Sequence, residues 1–221
     1  MIFYNKKLQV FTSTLFSEVS AGFGTRFRGD GRTDKNIPFK NIVRMKQVHG
    51  ADIYEYMGNG AGIAEADGLI TNVKGKCLLA LTADCVPILF FSREKRIIGI
   101  SHQGWRGLLA QLPKKMVERL GRDTVAAIGP AINDCCYSIE KDRYKMFKNL
   151  FPQEVFHKVG DKIFLNLARL SYLQLQESGI PEKNIDHFPF CTACDQNRFF
   201  SYRKMKNKED FPRQFNYVSL S

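Results

Sequence analysis

The sequence predicts one mixed α/β domain, and three observations carry that expectation. Apolar runs of strand length sit at residues 78–82 and 87–91, near stretches whose apolar residues recur at helical spacing. Strands and helices alternate irregularly, so the class is mixed α/β rather than a regular βαβ winding. No repeat, low-complexity tract or Pro/Gly/Ser linker divides the 221 residues, so residues 1–221 read as a single unit. A chain of this length buries about 70% of its unfolded surface and needs no staples.

The middle of the chain justifies its elements most clearly. Residues 78–82 (Leu-Leu-Ala-Leu-Thr) and 87–91 (Pro-Ile-Leu-Phe-Phe) predict two buried strands. Ala83-Asp84-Cys85-Val86 is a break between them, which Pro87 helps enforce by pushing Val86 into an extended conformation. A polar turn at 92–96 leads to a third strand at 97–101. Gly104-Trp-Arg-Gly107 then opens an amphipathic helix with Leu108, Leu109, Leu112, Met116, Val117 and Leu120 on one side. Pro113 lies inside that pattern, so the helix either kinks there or begins there, and Gly121 caps it. Residues 125–128 predict another buried strand. Helices follow at 141–150 and 167–178, the second stopped by Gly179, and short strands close the chain at 199–202 and 215–220.

Composition narrows the class. The apolar runs are far shorter than the roughly 18 to 20 residues of a membrane span, so no membrane partner is expected. The amino end lacks a secretory pattern, and six cysteines without one predict reduced thiols in a cytoplasm. Lys and Arg number 33 against 22 Asp and Glu, a net charge of +11 that favours anionic partners. The basic residues are scattered and fit no nucleic-acid-binding motif, which makes a nucleic-acid module the weaker reading.

Only four histidines are present. His157 and His187 lie in segments that read as exposed. His102 comes off a buried strand into a turn rich in functional groups, and Cys85 sits in the break between two strands. Two imidazoles and a thiolate, His49, His102 and Cys85, would suit a borderline divalent metal and leave a fourth position open. The residues alone leave three readings open: that site, satisfied structural side chains, and a cysteine hydrolase with Cys85 as nucleophile. Cys191-Thr-Ala-Cys194 is a lone C-x-x-C, and adjacent Cys135 and Cys136 are expected to diverge. All four therefore read as structural or incidental thiols, and Cys191 and Cys194 as dispensable for turnover.

Gln47-Val-His-Gly50, Ala66-Asp-Gly68, Thr82-Ala-Asp-Cys85-Val-Pro87, His102-Gln-Gly-Trp-Arg-Gly107, Gly129-Pro-Ala-Ile132, Cys135-Cys-Tyr137 and Phe199-Phe-Ser-Tyr-Arg203 occur in that order. Together they resemble the YfiH/YlmD-like family, formerly labelled multicopper polyphenol oxidases and now regarded as purine nucleoside phosphorylases. The resemblance implies a single-domain layered α/β sandwich with mixed sheets and a catalytic metal held by His49, Cys85 and His102, Zn²⁺ or alternatively Cu²⁺. It implies phosphorolysis of adenosine, inosine and 5′-methylthioadenosine, adenosine deamination, and purine nucleosides and inorganic phosphate as partners. Arg26 matches the family's arginine near the substrate and is expected to be catalytic with Cys85. Gln47, Arg106 and Arg203 are expected to join Arg26 in binding substrate. The segment before Gln47 is shorter than the family's usual one, and Lys204 stands where a second Arg is usual. A copper-dependent phenol oxidase with a blue-copper centre and a trinuclear cluster would need more than four imidazoles.

Overall fold

In the computed structural model, which describes residues 1–33, 39, 41–58 and 64–220, the amino-terminal third forms short strands: β1 (Ile2–Asn5), β2 (Val10–Ser13), β3 (Ser20–Gly24), β4 (Ile42–Arg44), β5 (Ile53–Glu55) and β6 (Gly68–Thr71). Three longer strands follow, β7 (Lys76–Thr82), β8 (Val86–Ser92) and β9 (Ile97–Gln103). Then come helices α1 (Trp105–Leu109) and α2 (Leu112–Leu120), strands β10 (Thr124–Ile128) and β11 (Ser138–Ile139), and helix α3 (Lys141–Phe147). Strands β12 (Phe156–Val159) and β13 (Lys162–Leu165), helix α4 (Leu167–Glu177), and strands β14 (Ile185–His187) and β15 (Gln214–Leu220) complete the chain.

Two six-stranded sheets, ordered β1-β2-β3-β15-β7-β4 and β14-β10-β8-β9-β6-β5, accompany a small β11-β13-β12 sheet. Both large sheets are mixed: the β4–β7, β5–β6 and β10–β14 pairs are parallel and the other ladders antiparallel. The unbroken apolar run of β8 has a simple cause. Leu89 and Phe91 join the buried cluster that holds Leu78, Phe23 and Val218 of the other large sheet, while Ile88 and Phe90 join the cluster that holds Leu112, Met116 and Leu170 of the helices. A strand buried on both faces has no polar side to alternate with. The layering is thus sheet, sheet, helices, as the resemblance implied.

Three expectations need correction. The stretch after Gly104 is two helices, because Ala110 and Gln111 break it and Gln111 takes a left-handed φ of 58°. Pro113 lies in the first turn of the second helix, where its missing N–H costs nothing. The 141–150 helix ends at Phe147. Residues 199–202 form no strand: the Gln214 side-chain amide accepts from Phe200 N–H at 2.7 Å and donates to its carbonyl at 3.1 Å, taking the place of a ladder partner.

Candidate active site and metal centre

Strand register assembles the site. Pro87 of β8 pairs with His102 of β9, so Cys85, two residues before Pro87, emerges at the same sheet end as His102. Gly68 of β6 pairs with Ser101, which brings Asp67 beside His102. His49 arrives on the turn after β4, in a left-handed conformation with φ 61°. Asp84, just before Cys85, has φ 91°. Non-glycine residues held in such conformations at one site are strain that the surrounding contacts must maintain.

Two buried carboxylates supply those contacts. Asp67, fully buried, takes the His102 Nδ1 at 2.8 Å through Oδ1 and accepts from the Val48 and Gly50 N–H groups at 3.2 and 2.6 Å through Oδ2. One side chain therefore fixes the His102 ring and both flanks of His49. Asp84 accepts from Thr192 Oγ1 at 2.7 Å, Ser201 Oγ at 3.0 Å and the Arg203 N–H at 2.7 Å, which ties the Cys85 turn to the carboxyl-terminal loops. Neither role was visible in the sequence, although both residues lie in the ordered motifs.

The donor atoms of His49, Cys85 and His102 lie within 4.8 Å of one another. Gly104 makes room for them, since a Cβ there would stand 3.1 Å from His49 Cδ2 and 3.5 Å from Cys85 Sγ. With its Nδ1 committed to Asp67, His102 presents Nε2 to the cluster, the arrangement that orients a ligating imidazole. Burial pushes the Cys85 thiol up, but the charge and hydrogen bonds of His102, then those of His49, prevail and hold it at about 6. Burial likewise opposes charge on His102, yet the Cys85 thiolate and Asp67 raise it to about 9. Both shifts favour the thiolate and the imidazolium, and this donor set fits a borderline cation such as Zn²⁺.

The cluster forms part of a cavity of about 550 Å³, also lined by Arg106, Arg143, Arg203, Lys208 and Arg213. Five cations around one cavity focus the chain's positive charge where a small anion would sit. Arg106 and Arg143 each place a guanidinium 4.5 Å from the Trp105 ring centroid. Arg143 Nε is buried without a hydrogen-bond partner among the described residues. Arg203 donates to the Cys136 carbonyl at 3.1 Å and lies over Tyr137, which also lines the cavity. Arg143, Lys208 and Arg213 went unread in the sequence because no local pattern marks them.

Of the expected substrate residues, Gln47 borders the cavity and Arg26 does not. Arg26 is exposed, donates to the Gln196 carbonyl and packs 5.2 Å over Phe200, and it is not among the cavity-lining residues. Its backbone N–H is engaged by Arg198, which turns this segment toward the 195–200 loop instead of the cavity. Gln47 borders the cavity, but both ends of its amide bond the backbone of Leu81, at 2.8 and 2.9 Å, so it braces β7. The thiols of Cys135, Cys136, Cys191 and Cys194, expected apart, are gathered within 4.8 Å of one another. No helix among the described residues is long and apolar enough to cross a membrane.

Comparison with known proteins agrees with this architecture. Residues 30–221 match the family described as multi-copper polyphenol oxidoreductase laccase. The chain is 32% identical over 207 residues to purine nucleoside phosphorylase YlmD of Geobacillus stearothermophilus, covering 80% of this chain and 76% of that one. The crystal structure of that YlmD is similar with a TM-score of 0.86 at 28% identity, covering 99% of this chain and 98% of the other. Purine nucleoside phosphorylase LACC1 of Mus musculus is 28% identical over 192 residues, which span 82% of this chain but 44% of LACC1. Adenosine deaminase RL5, from an unknown prokaryotic organism, is 32% identical over 155 residues, 66% of this chain and 59% of that one.

Proposed function

This chain belongs to the multi-copper polyphenol oxidoreductase laccase family, and on that premise we propose that it is a zinc-dependent purine nucleoside enzyme, a phosphorylase of adenosine, inosine and 5′-methylthioadenosine that also deaminates adenosine. The observation that carries the reading is the convergence of His49, Cys85 and His102 in a cavity lined by five cations. The names of the relatives, purine nucleoside phosphorylase for YlmD and LACC1 and adenosine deaminase for RL5, support the substrate class.

Phosphorolysis joins a phosphate oxygen to ribose C1′ as the bond from C1′ to the purine breaks, and the base leaves with a proton. Arg106, Arg143, Arg203, Lys208 and Arg213 are the groups that would hold the phosphate and offset its charge as it approaches the sugar. Tyr137, Tyr202 and Phe211 offer aromatic surface for the base. His49, Cys85 and His102 would hold the metal, and Asp67 keeps His102 aimed at it. A zinc ion with three protein ligands keeps one position open and acts as a Lewis acid that makes water nucleophilic near neutral pH, the property deamination requires.

Copper fits the same two-histidine, one-cysteine set. A multicopper oxidase does not: the sequence has four histidines, and His157 and His187 lie outside the cavity. Six unbridged cysteines fit a reducing cytoplasm. Mass-spectrometric product analysis of zinc-loaded protein with adenosine tests the proposal. Phosphate should add ribose 1-phosphate and adenine, and inosine with ammonia should form without it. Unchanged adenosine in both mixtures would overturn the reading.

A further inference from the structure

The second sulfur cluster lies outside the cavity just described, between two loops far apart in sequence. We infer that Cys135, Cys136, Cys191 and Cys194 form a structural metal centre, a closed tetrathiolate site for a zinc-type cation that clips the loop after β10 to the loop after β14.

Each loop presents its pair of thiols on a tight turn. In the first, the N–H groups of Cys136 and Tyr137 both donate to the Asn133 carbonyl at 2.9 Å. That turn carries two adjacent cysteines round to one side and defeats the expectation that they diverge. In the second, the N–H groups of Cys194 and Asp195 both donate to the Cys191 carbonyl, at 3.2 and 3.0 Å, and so fold the C-x-x-C into a knuckle. The loops are registered against each other by a parallel bridge between Ala131 and Cys191 and by Thr192 N–H donating to the Ala131 carbonyl at 3.0 Å.

The sulfur geometry suits a cation. Cys194 Sγ lies 3.5 Å from Cys135 Sγ and 3.4 Å from Cys136 Sγ, and all four sulfurs fall within 4.8 Å of one another. Four sulfurs at about 2.3 Å from a tetrahedral zinc ion stand about 3.8 Å apart, whereas a disulfide requires about 2.05 Å. The Asn133 N–H points at Cys191 Sγ at 3.4 Å, a backbone donor to a sulfur that would carry charge as a ligand. Thiols are poor hydrogen-bond partners for one another, and among the described residues no other His, Cys, Asp or Glu joins the cluster as a ligand candidate. Four protein ligands leave no open position, so the chemistry is structural.

The clip has a clear object. Tyr137 follows Cys136 directly and lines the active-site cavity, and Arg203 anchors on the Cys136 carbonyl. Thr192, inside the knuckle, donates to Asp84, the neighbour of Cys85. Fixing the four sulfurs therefore fixes one wall of the cavity.

The decisive measurement is metal stoichiometry on the full chain, purified under reducing conditions without chelator. Wild type should carry two zinc ions per chain, and a His49→Ala/Cys85→Ala variant should keep one. That count does not depend on nucleoside turnover, so the proposal stands or falls separately from the assigned activity. Cobalt loaded into the same variant should give strong thiolate-to-metal charge-transfer absorption and tetrahedral visible bands. A Cys191→Ser/Cys194→Ser change added to it should abolish both. A His49→Ala/Cys85→Ala protein that retains no metal would overturn the inference. So would non-reducing peptide mapping that finds Cys191 or Cys194 disulfide-linked to Cys135 or Cys136 in the wild type.

Discussion

The two sulfur clusters of this protein use the same element in opposite ways. At the cavity, one thiol and two imidazoles come from a strand break, a strand end and a strained turn, and their geometry is kept by Asp67 and Asp84. Between the loops, four thiols come from two turns closed by backbone hydrogen bonds, and Asp84 reaches them only through Thr192, inside the knuckle. The first set is incomplete by itself and faces cations and solvent. The second closes upon itself. Donor number, more than donor type, separates a centre that can bind a reactant from one that can only hold a shape.

Removing a donor from each cluster gives the largest contrast. Cys85→Ala should reduce nucleoside turnover to background while the fold persists, because the residue is only partly buried and borders the cavity. Cys194→Ser should instead lower the thermal midpoint first, with turnover lost only as the cavity wall loosens. Calorimetry and product assays on both variants check this, and equal loss of turnover at equal stability would erase the distinction.

Asp67→Asn probes the brace that only the first cluster has. It should weaken metal binding at the cavity by about 10- to 100-fold, since the amide cannot offer His102 the same acceptor charge. Competition against a chromophoric chelator reads the change directly, and the loop cluster should not respond.

The cavity-lining cations stand beside the first cluster, with Arg203 also reaching the Cys136 carbonyl of the second. Arg143→Gln should raise the KM for phosphate about tenfold, equivalent to about 1.4 kcal/mol, whereas Arg26→Gln should leave it unchanged. Steady-state kinetics over a range of phosphate concentrations would reverse the assignment if Arg26 proved the sensitive position.

Proton affinity gives the finest test. In metal-free protein, Cys85 is held at about 6 with its imidazole neighbours, whereas burial pushes Cys77 up to about 12. The lowered value means that thiolate is present above pH 6 and lost below it. Iodoacetamide labelling at Cys85 should therefore rise through a midpoint near pH 6, with Cys77 unreactive until the chain unfolds. Mass spectrometry of the labelled peptides resolves the two.

What was legible in the sequence follows the length of the local signal. The seven-residue strands β7, β8 and β9 announce themselves as apolar runs, and with them the strand-end positions of Cys85 and His102. The strands before Lys76 are three to five residues long, and Ser20-Ala-Gly-Phe-Gly24 carries too few β-branched residues to read as one. The roles of Asp67 and Asp84 depend on partners that the fold supplies from other strands and loops. Adjacent cysteines read as divergent because an extended chain alternates its side chains, and only the Asn133 turn cancels that alternation. Arg26 shows the converse: a motif match gives residue type and order, while the side chain's position depends on Arg198 and Phe200, far along the chain.

The stacking of Arg106 and Arg143 on Trp105 has a practical side. This is the only tryptophan in the chain, and it lines the cavity. An anion drawn onto either guanidinium shifts the charge lying 4.5 Å from the indole ring, and the indole's emission responds to such a change. The protein therefore carries its own fluorophore at the point where phosphate should arrive, so titration and stopped-flow can follow occupancy with neither a label nor a coloured substrate.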